Sequence, residues 1–210
     1  MEIHRLVFSP IDVNTYILAD GTDCAIIDCG CYGREEFSRL TNFLDEKKLN
    51  PVLLLNTHCH LDHIFGNIFM LEKYRLRSHF SKLEDQNRRL APNYAVIFGL
   101  EMSESPSPEA YIEHDQTIGF GNISLKALHV PGHTSGSLAF YCEKDNCVFT
   151  GDALFAGSIG RSDLPGGNYN TLINSIKTNL LTLPGETVVW SGHGPETTIE
   201  KERKTNPYLT

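Results

Sequence analysis

Apolar residues run in short blocks through the first thirty positions and predict three strands, at 3–8, 15–19 and 24–28. Asp20-Gly21-Thr22-Asp23 turns the second into the third. From 35 to 48 the period becomes that of a helix, with Phe37, Leu40, Phe43 and Leu44 recurring between charges. Asn50-Pro51 stops it, and Val52-Leu53-Leu54-Leu55 is apolar throughout, as a strand covered on both faces requires. A helical pattern resumes over 64–74, beginning beside His63. Residues 75–114 carry no clear period: a charged stretch around 82–89 gives way to the loop-like Ser103-Glu104-Ser105-Pro106-Ser107-Pro108, where a lid or substrate wall would fit. Strands return at 116–120, 123–128, 137–142 and 147–150, followed by a helix at 170–181, a strand at 187–190 and a charged closing helix at 197–204. Strands, then helix, then strand occur in both halves, which predicts an α/β (α+β) protein built in layers.

The chemistry gathers where predicted strands end. Directly after the 52–55 strand comes His58-Cys59-His60-Leu61-Asp62-His63, three imidazoles and a carboxylate in six residues. A shuffled chain of this composition would contain that spacing roughly one time in a thousand. Any one of these histidines could be an ordinary hydrogen-bonded imidazole. Crowded together without a cation they would desolvate and repel one another as they charge. Nitrogen and carboxylate donors together suit zinc, iron or manganese, whereas calcium and magnesium prefer oxygen shells. Further candidates stand at other strand ends: His133 between Pro131-Gly132 and Ser135-Gly136, Asp152 after Gly151, and His193 between Gly192 and Gly194. Asp28 closes the third strand, and from spacing alone it reads equally as a functional carboxylate or as a turn former. His58, His60, Asp62, His63, His133, Asp152 and His193 are too many donors for one tetrahedral metal; two metals sharing a carboxylate would use them all.

Composition narrows the partner. A net charge of −8 argues against nucleic-acid backbone or an anionic membrane surface, and 40% hydrophobic content over 210 residues is enough for a real core. The start reads at once as a strand, and no window offers about 18 apolar residues, so a cytoplasmic protein with a small-molecule partner is expected. The six cysteines form no Cys-x-x-Cys pair and are expected as free, non-ligand thiols, with Cys142 and Cys147 facing each other across a hairpin. His79 and His114 stand without companions and are left out of the site. The arginines at 75, 77, 88 and 89 fit a solvated helix face better than an anion-binding rim.

Thr57-His58-Cys59-His60-Leu61-Asp62-His63, Pro131-Gly132-His133-Thr134-Ser135-Gly136-Ser137, Gly151-Asp152-Ala153-Leu154-Phe155 and Ser191-Gly192-His193-Gly194 together resemble the metallo-β-lactamase superfamily. The run Phe155 to Gly167, with Gly160-Arg161 inside it, resembles the glyoxalase II-like (hydroxyacylglutathione hydrolase-like) branch, in its short bacterial form. The resemblance implies a four-layer αβ/βα sandwich in a single domain, 1–210, without the C-terminal glutathione-binding helical domain of the classical enzymes. It implies two zinc ions, with iron or manganese as alternatives. His58, His60 and His133 would hold the first and Asp62, His63 and His193 the second, with Asp152 bridging and Asp28 orienting a ligand from behind. Asp62 and Asp152 would serve catalysis with a metal-bound hydroxide, and Arg161 would lie near the substrate. The implied reaction is thioester hydrolysis, of S-2-hydroxyacylglutathione or a related compound, by a monomer or small homo-oligomer. The rivals are a mononuclear-iron persulfide dioxygenase, a lactone or other ester hydrolase, and, from other classes, a nucleic-acid processor or a non-catalytic metal-binding module. Asp163, where the classical enzymes carry tyrosine, and the short C-terminus both depart from the glutathione-specific pattern.

Overall fold

The computed structural model describes all 210 residues. Strands β1 (Glu2–Phe8), β2 (Val13–Asp20) and β3 (Asp23–Ile27) form an antiparallel meander, and helix α1 (Gly33–Lys47) then carries the chain over to β4 (Asn50–Leu55), parallel to β3. The one-turn helix α2 (Leu61–Ile64), α3 (Asn67–Tyr74), β5 (Ser78–Phe80), α4 (Asp85–Ile97) and β6 (Ala110–Tyr111) complete a first sheet in the order β1-β2-β3-β4-β5-β6.

The second half repeats the plan. Strands β7 (Thr117–Phe120), β8 (Ile123–His129), β9 (Leu138–Cys142) and β10 (Cys147–Gly151) form another meander. The small hairpin β11 (Leu154–Phe155) and β12 (Ser158–Ile159), helix α5 (Tyr169–Ser175) and a wider helical turn at Ile176–Leu180 lead to β13 (Val188–Ser191), parallel to β10. Strand β14 (Thr197–Thr198) and helix α6 (Ile199–Thr205) follow, and this sheet is ordered β14-β13-β10-β9-β8-β7.

Side-chain alternation decides what each face covers. Leu18, Ala25, Ile27 and Leu55 of the first sheet meet Leu125, Ala127, Phe140 and Phe149 of the second in a shared core. The opposite face of the first sheet, with Ile17, Ile26 and Leu54, packs on Leu40 and Leu44 of α1 and Met70 of α3. The opposite face of the second, with Leu128, Ala139, Val148 and Val189, packs on Leu172 of α5, Ile176, Leu180 and Ile199 of α6. The result is the four-layer αβ/βα sandwich. β2 is buried along nearly its whole length because both of its faces are covered, while β1 at the sheet edge is mostly half-buried.

Three elements differ from their expected form. The helix expected over 64–74 starts earlier, at Leu61, and breaks at Gly66, whose amide donates to the Cys29 carbonyl at 2.8 Å; a Cβ there would strike Cys29. Asp62 and His63 therefore sit on a helical turn, not in a free loop. The 170–181 helix loosens after Ser175, and the closing helix begins only after a two-residue strand. Residues 75–114 resolve into β5, α4 and β6, with Pro92 inside α4. The charged stretch there is not simply a solvated face: Arg88 is buried, bound to Asp85, Glu104 and the Ser105 carbonyl. Cys142 and Cys147 lie directly opposite each other across the β9–β10 hairpin as free thiols. No helix is long and apolar enough to cross a membrane.

The inter-sheet core sets the stability. Truncating Phe140, fully buried between the sheets, to alanine is expected to cost about 3–5 kcal/mol, read from urea denaturation. A loss under about 1 kcal/mol would mean the two sheets do not close on each other there.

Candidate metal centre

Strands β3 and β4 run parallel in one sheet, and β8, β10 and β13 run in one direction in the other. Their C-terminal ends meet along one edge of the sandwich, where the Leu138 amide donates to the Thr57 carbonyl at 2.8 Å and the Asn14 amide to the Gly192 carbonyl at 2.7 Å. His58 and His60 follow β4, Asp62 and His63 lie on α2, His133 follows β8, Asp152 follows β10 and His193 follows β13. The structure brings all seven together. They fall into overlapping groups: His58, His60 and His133; Asp62, His63 and His193; and His58, His63 and Asp152. Only glycine is tolerated at 192, because a Cβ there would run into Asp152 and His63.

Hydrogen bonds behind the rings decide which nitrogens face inward. Thr57 donates its hydroxyl to Asp28 Oδ2 at 2.7 Å, so its oxygen is left to accept from His58 Nδ1–H at 3.1 Å. His133 Nδ1–H donates to the Arg161 carbonyl at 2.7 Å, and His193 Nδ1–H to the Asp12 carbonyl at 3.1 Å. His63 Nδ1–H donates to Asp28 Oδ2 at 2.9 Å. In all four rings the contact at Nδ1 turns Nε2 into the cluster, where it offers a lone pair whenever the ring is neutral. His60 differs, turning Nδ1 inward. That atom stands 3.1 Å from His58 Nε2 and 2.9 Å from His133 Nε2, and the latter two are 3.2 Å apart. A tetrahedral metal with bonds of 2.0–2.1 Å separates its ligand nitrogens by roughly 3.3 Å. The His58 and His133 lone pairs face each other there, and only an Nδ1–H on His60 or a cation among the three nitrogens relieves their repulsion.

The second group is richer in carboxylate. Asp62 Oδ2 stands 3.2 Å from His193 Nε2 and 3.5 Å from His63 Nε2. Asp152 reaches both groups, with Oδ1 3.4 Å from His63 Nε2 and Oδ2 3.7 Å from His133 Nε2 and 3.6 Å from His193 Nε2. His63 Nε2 and Asp152 Oδ1 are buried without a hydrogen-bond partner, an expensive arrangement for polar atoms unless an ion serves them. Burial together with the neighbouring rings drives the His58 pKa well below the ordinary imidazole value, and burial and His133 bring His60 down to about 3. Burial would lower His63 too, but Asp62, Asp152 and Asp28 outweigh it and raise it well above its usual value. Burial would raise both Asp62 and Asp152, but His63 first and then His193 hold them below the carboxylate range. The first group thus offers three imidazoles, with His58 and His60 held neutral, and Asp62 and Asp152 add two ionised carboxylates, a donor set able to hold a transition metal.

Asp28 ties the arrangement together from behind. It adopts a left-handed backbone (φ 53°), costing on the order of 1 kcal/mol, and its buried carboxylate also accepts from the Thr57 amide at 2.8 Å. Glu84 does the same from the other side. Its buried carboxylate accepts from the Cys59 amide, between His58 and His60, at 2.9 Å and from the Gly136 amide of the His133 loop at 2.8 Å. One side chain therefore fixes both backbone segments that supply the first group. A cavity of about 360 Å³ opens over the cluster, lined by His60, Asp62, His133, Asp152 and His193 together with Arg161 and apolar residues of α4 and the neighbouring loops.

The sequence profile of the metallo-beta-lactamase superfamily matches residues 9–193, which contain every member of this cluster. The chain belongs to that superfamily. It is 37% identical over 211 residues to a probable metallo-hydrolase, YqgX, of Bacillus subtilis, covering 100% of this chain and 98% of that one. It is 36% identical over 192 residues to the hydroxyacylglutathione hydrolase GloC of Haemophilus influenzae, covering 90% and 89%. Among solved structures it is similar to the BLEG-1 B3 metallo-beta-lactamase, with a TM-score of 0.92 and 30% identity over the whole of both chains. It is also similar to TTHA1623 in a di-iron-bound form, with a TM-score of 0.89 and 35% identity over 98% of this chain and 100% of that one.

For a metallo-beta-lactamase superfamily member, what the sequence missed lies mostly behind the cluster. Arg161 lines the cavity, but its guanidinium is bound twice to Asp163, at 2.8 Å each, and its carbonyl holds His133. Glu84 went unread because Ser81-Lys82-Leu83-Glu84 has the form of a helix-start box. Ser81 does cap, accepting from the Leu83 amide, but the Glu84 carboxylate goes to Cys59 and Gly136 instead. Cys59 turns away from the histidines to pack with Ile64, Phe65 and Phe80, and burial raises its thiol pKa well above normal. His79 and His114 stay outside the cluster, His79 against the Leu54 carbonyl and His114 accepting from the His129 amide.

Glutamine at position 84 can accept from only one of the two amides and sets an NH₂ against the other. Glu84→Gln is expected to weaken metal binding by the His58–His60–His133 group about 10–100-fold in a chelator competition, with a smaller effect on the Asp62–His63–His193 group. Equal affinities in wild type and variant would show that the clamp does not shape the site.

Proposed function

We propose that the chain is a metal-dependent hydrolase that cleaves thioesters, in the manner of glyoxalase II. His58, His60 and His133 would hold one metal, Asp62, His63 and His193 a second, and Asp152 would be shared between them. Zinc suits this donor set, and iron or manganese is compatible with it. The observation that carries the reading is the inward set of lone pairs together with the orphaned His63 Nε2 and Asp152 Oδ1 at the floor of an open cavity. Bound metals would supply a water acidic enough to attack near neutral pH and a Lewis acid for the carbonyl oxygen.

The chain's own groups contribute the rest. Asp62, kept ionised, turns Oδ2 toward His63 and His193 and can accept the hydrogen of the attacking water at its other oxygen, aiming the water at a carbonyl lodged in the cavity. Asp152 joins the two halves of the cluster through its two oxygens. The Arg161 carbonyl and Asp28 fix His133 and His63, so the floor need not rearrange as charge develops. Since Asp62 and Asp152 are both held in the charged form, neither is a ready acid for an amine leaving group. A thiolate, whose acid has a pKa of about 8.5, departs without one. This favours a thioester over an amide, in keeping with the likeness to the Haemophilus influenzae hydroxyacylglutathione hydrolase.

Protein loaded with zinc is expected to release thiol from S-lactoylglutathione or a simpler acyl thioester, to lose that activity on chelation and to regain it when metal is restored. Asp62→Asn is expected to lower kcat about 10²–10⁴-fold while the protein stays folded. Oxygen uptake on a persulfide by protein holding one iron per chain would contradict the hydrolase reading.

A further inference from the structure

We infer that the substrate's body is uncharged and apolar, a thioester bearing an aliphatic or aryl group rather than a dicarboxylic thiol such as glutathione. The inference rests on the thioesterase reading for its chemistry and on the cavity walls for its selectivity. Ile11 from the β1–β2 loop, Tyr94 of α4 and Phe98 just beyond it, Phe155 of β11, and Leu164-Pro165 surround the approach to His60 and Asp62. Arg161 is the single lysine or arginine among the lining residues, and Asp163 already binds it through two nitrogens. The neutral polar groups on the wall are Asn87, which donates to Glu84 at 2.9 Å, and the Tyr94 hydroxyl.

Glutathione carries its two carboxylates at the far ends of a tripeptide, several bonds from the sulfur on either side. With the thioester at the floor, a carboxylate that stays inside the cavity meets these walls. Arg161 could answer one at most, through the Nη1 that Asp163 leaves free. An ionised group set on an apolar wall without a partner loses hydration and gains nothing for it. The walls and a volume of about 360 Å³ instead suit a small apolar body.

The rim points the same way. Val96, Ile97 and Phe98 at the end of α4 are 72%, 75% and 61% exposed, and Phe98 lies on both the rim and the cavity wall. Of the three, Phe98 also lines the cavity, so its exposed ring is an apolar contact at the mouth of the groove. Bound alkyl or aryl substrate would cover Phe98.

The test compares the hexanoyl thioesters of N-acetylcysteamine and of glutathione on the metal-loaded enzyme. Alongside it, calorimetry measures binding of two uncleavable thioethers of the same alkyl length, S-hexyl-N-acetylcysteamine and S-hexylglutathione. The uncharged thioester is expected to show kcat/KM at least about tenfold higher, and the uncharged thioether to bind more tightly. Phe98→Lys, a change at an exposed position, is expected to move the kcat/KM ratio at least about tenfold towards the glutathione compound. A wild-type preference for both glutathione compounds would overturn the inference, as would a ratio that Phe98→Lys leaves unmoved. If neither thioester is cleaved while the uncharged thioether still binds more tightly, the thioesterase reading fails and the apolar-substrate inference stands.

Discussion

The structure depends on one electrostatic constraint: nitrogen lone pairs turned toward each other at about 3 Å. Left alone they repel, and for His58 and His133 the hydrogen bonds behind the rings fix that arrangement. The Thr57 hydroxyl, the Arg161 carbonyl, the Asp12 carbonyl and the Asp28 carboxylate each take an Nδ1–H, and each thereby commits an Nε2 to the centre. A cation turns the repulsion into binding. The same constraint explains why buried polar atoms at His63 and Asp152 go without a protein partner in a structure that satisfies its other site groups so fully.

Holding that geometry requires groups from both halves of the chain to meet at fixed points. The two meanders deliver their strand ends to one edge, the Leu138–Thr57 and Asn14–Gly192 hydrogen bonds join those edges, and Gly192 lets β13 come close enough to bring His193 in. Two buried carboxylates, Asp28 and Glu84, then do for the backbone what the carbonyls do for the rings. Each spans segments far apart in sequence, Asp28 reaching Thr57 and His63, and Glu84 reaching Cys59 and Gly136. The cluster is thus a property of the closed sandwich, and neither sheet alone assembles it.

Local signals carried much of this. The apolar block Val52–Leu55, the crowded His58-to-His63 run and the glycine-flanked His133, Asp152 and His193 are legible because strand-end loops print their chemistry in consecutive letters. Asp28 was ambiguous, since a carboxylate at a turn has a local use as good as its distant one, and only the Thr57 and His63 contacts separate the two. The 75–114 segment was opaque for a related reason. Arg88 looks solvent-facing in sequence, yet it is buried by partners up to 17 positions away, and Glu84 looks like a helix cap. Tyr94 and Phe98, which line the cavity, are too irregularly spaced among polar residues to declare a face. Gly66 looked like one more position in a helix, and its meaning appears only when Cys29 is seen against it.

The most direct test of this account is anomalous diffraction from crystals of the zinc-loaded protein. Two zinc peaks per chain are expected, one among His58, His60 and His133 and the other among Asp62, His63 and His193, with Asp152 touching both. Density for a single metal, or for none at full zinc loading, with the His58, His60 and His133 rings turned so that their inward nitrogens no longer converge, would contradict it.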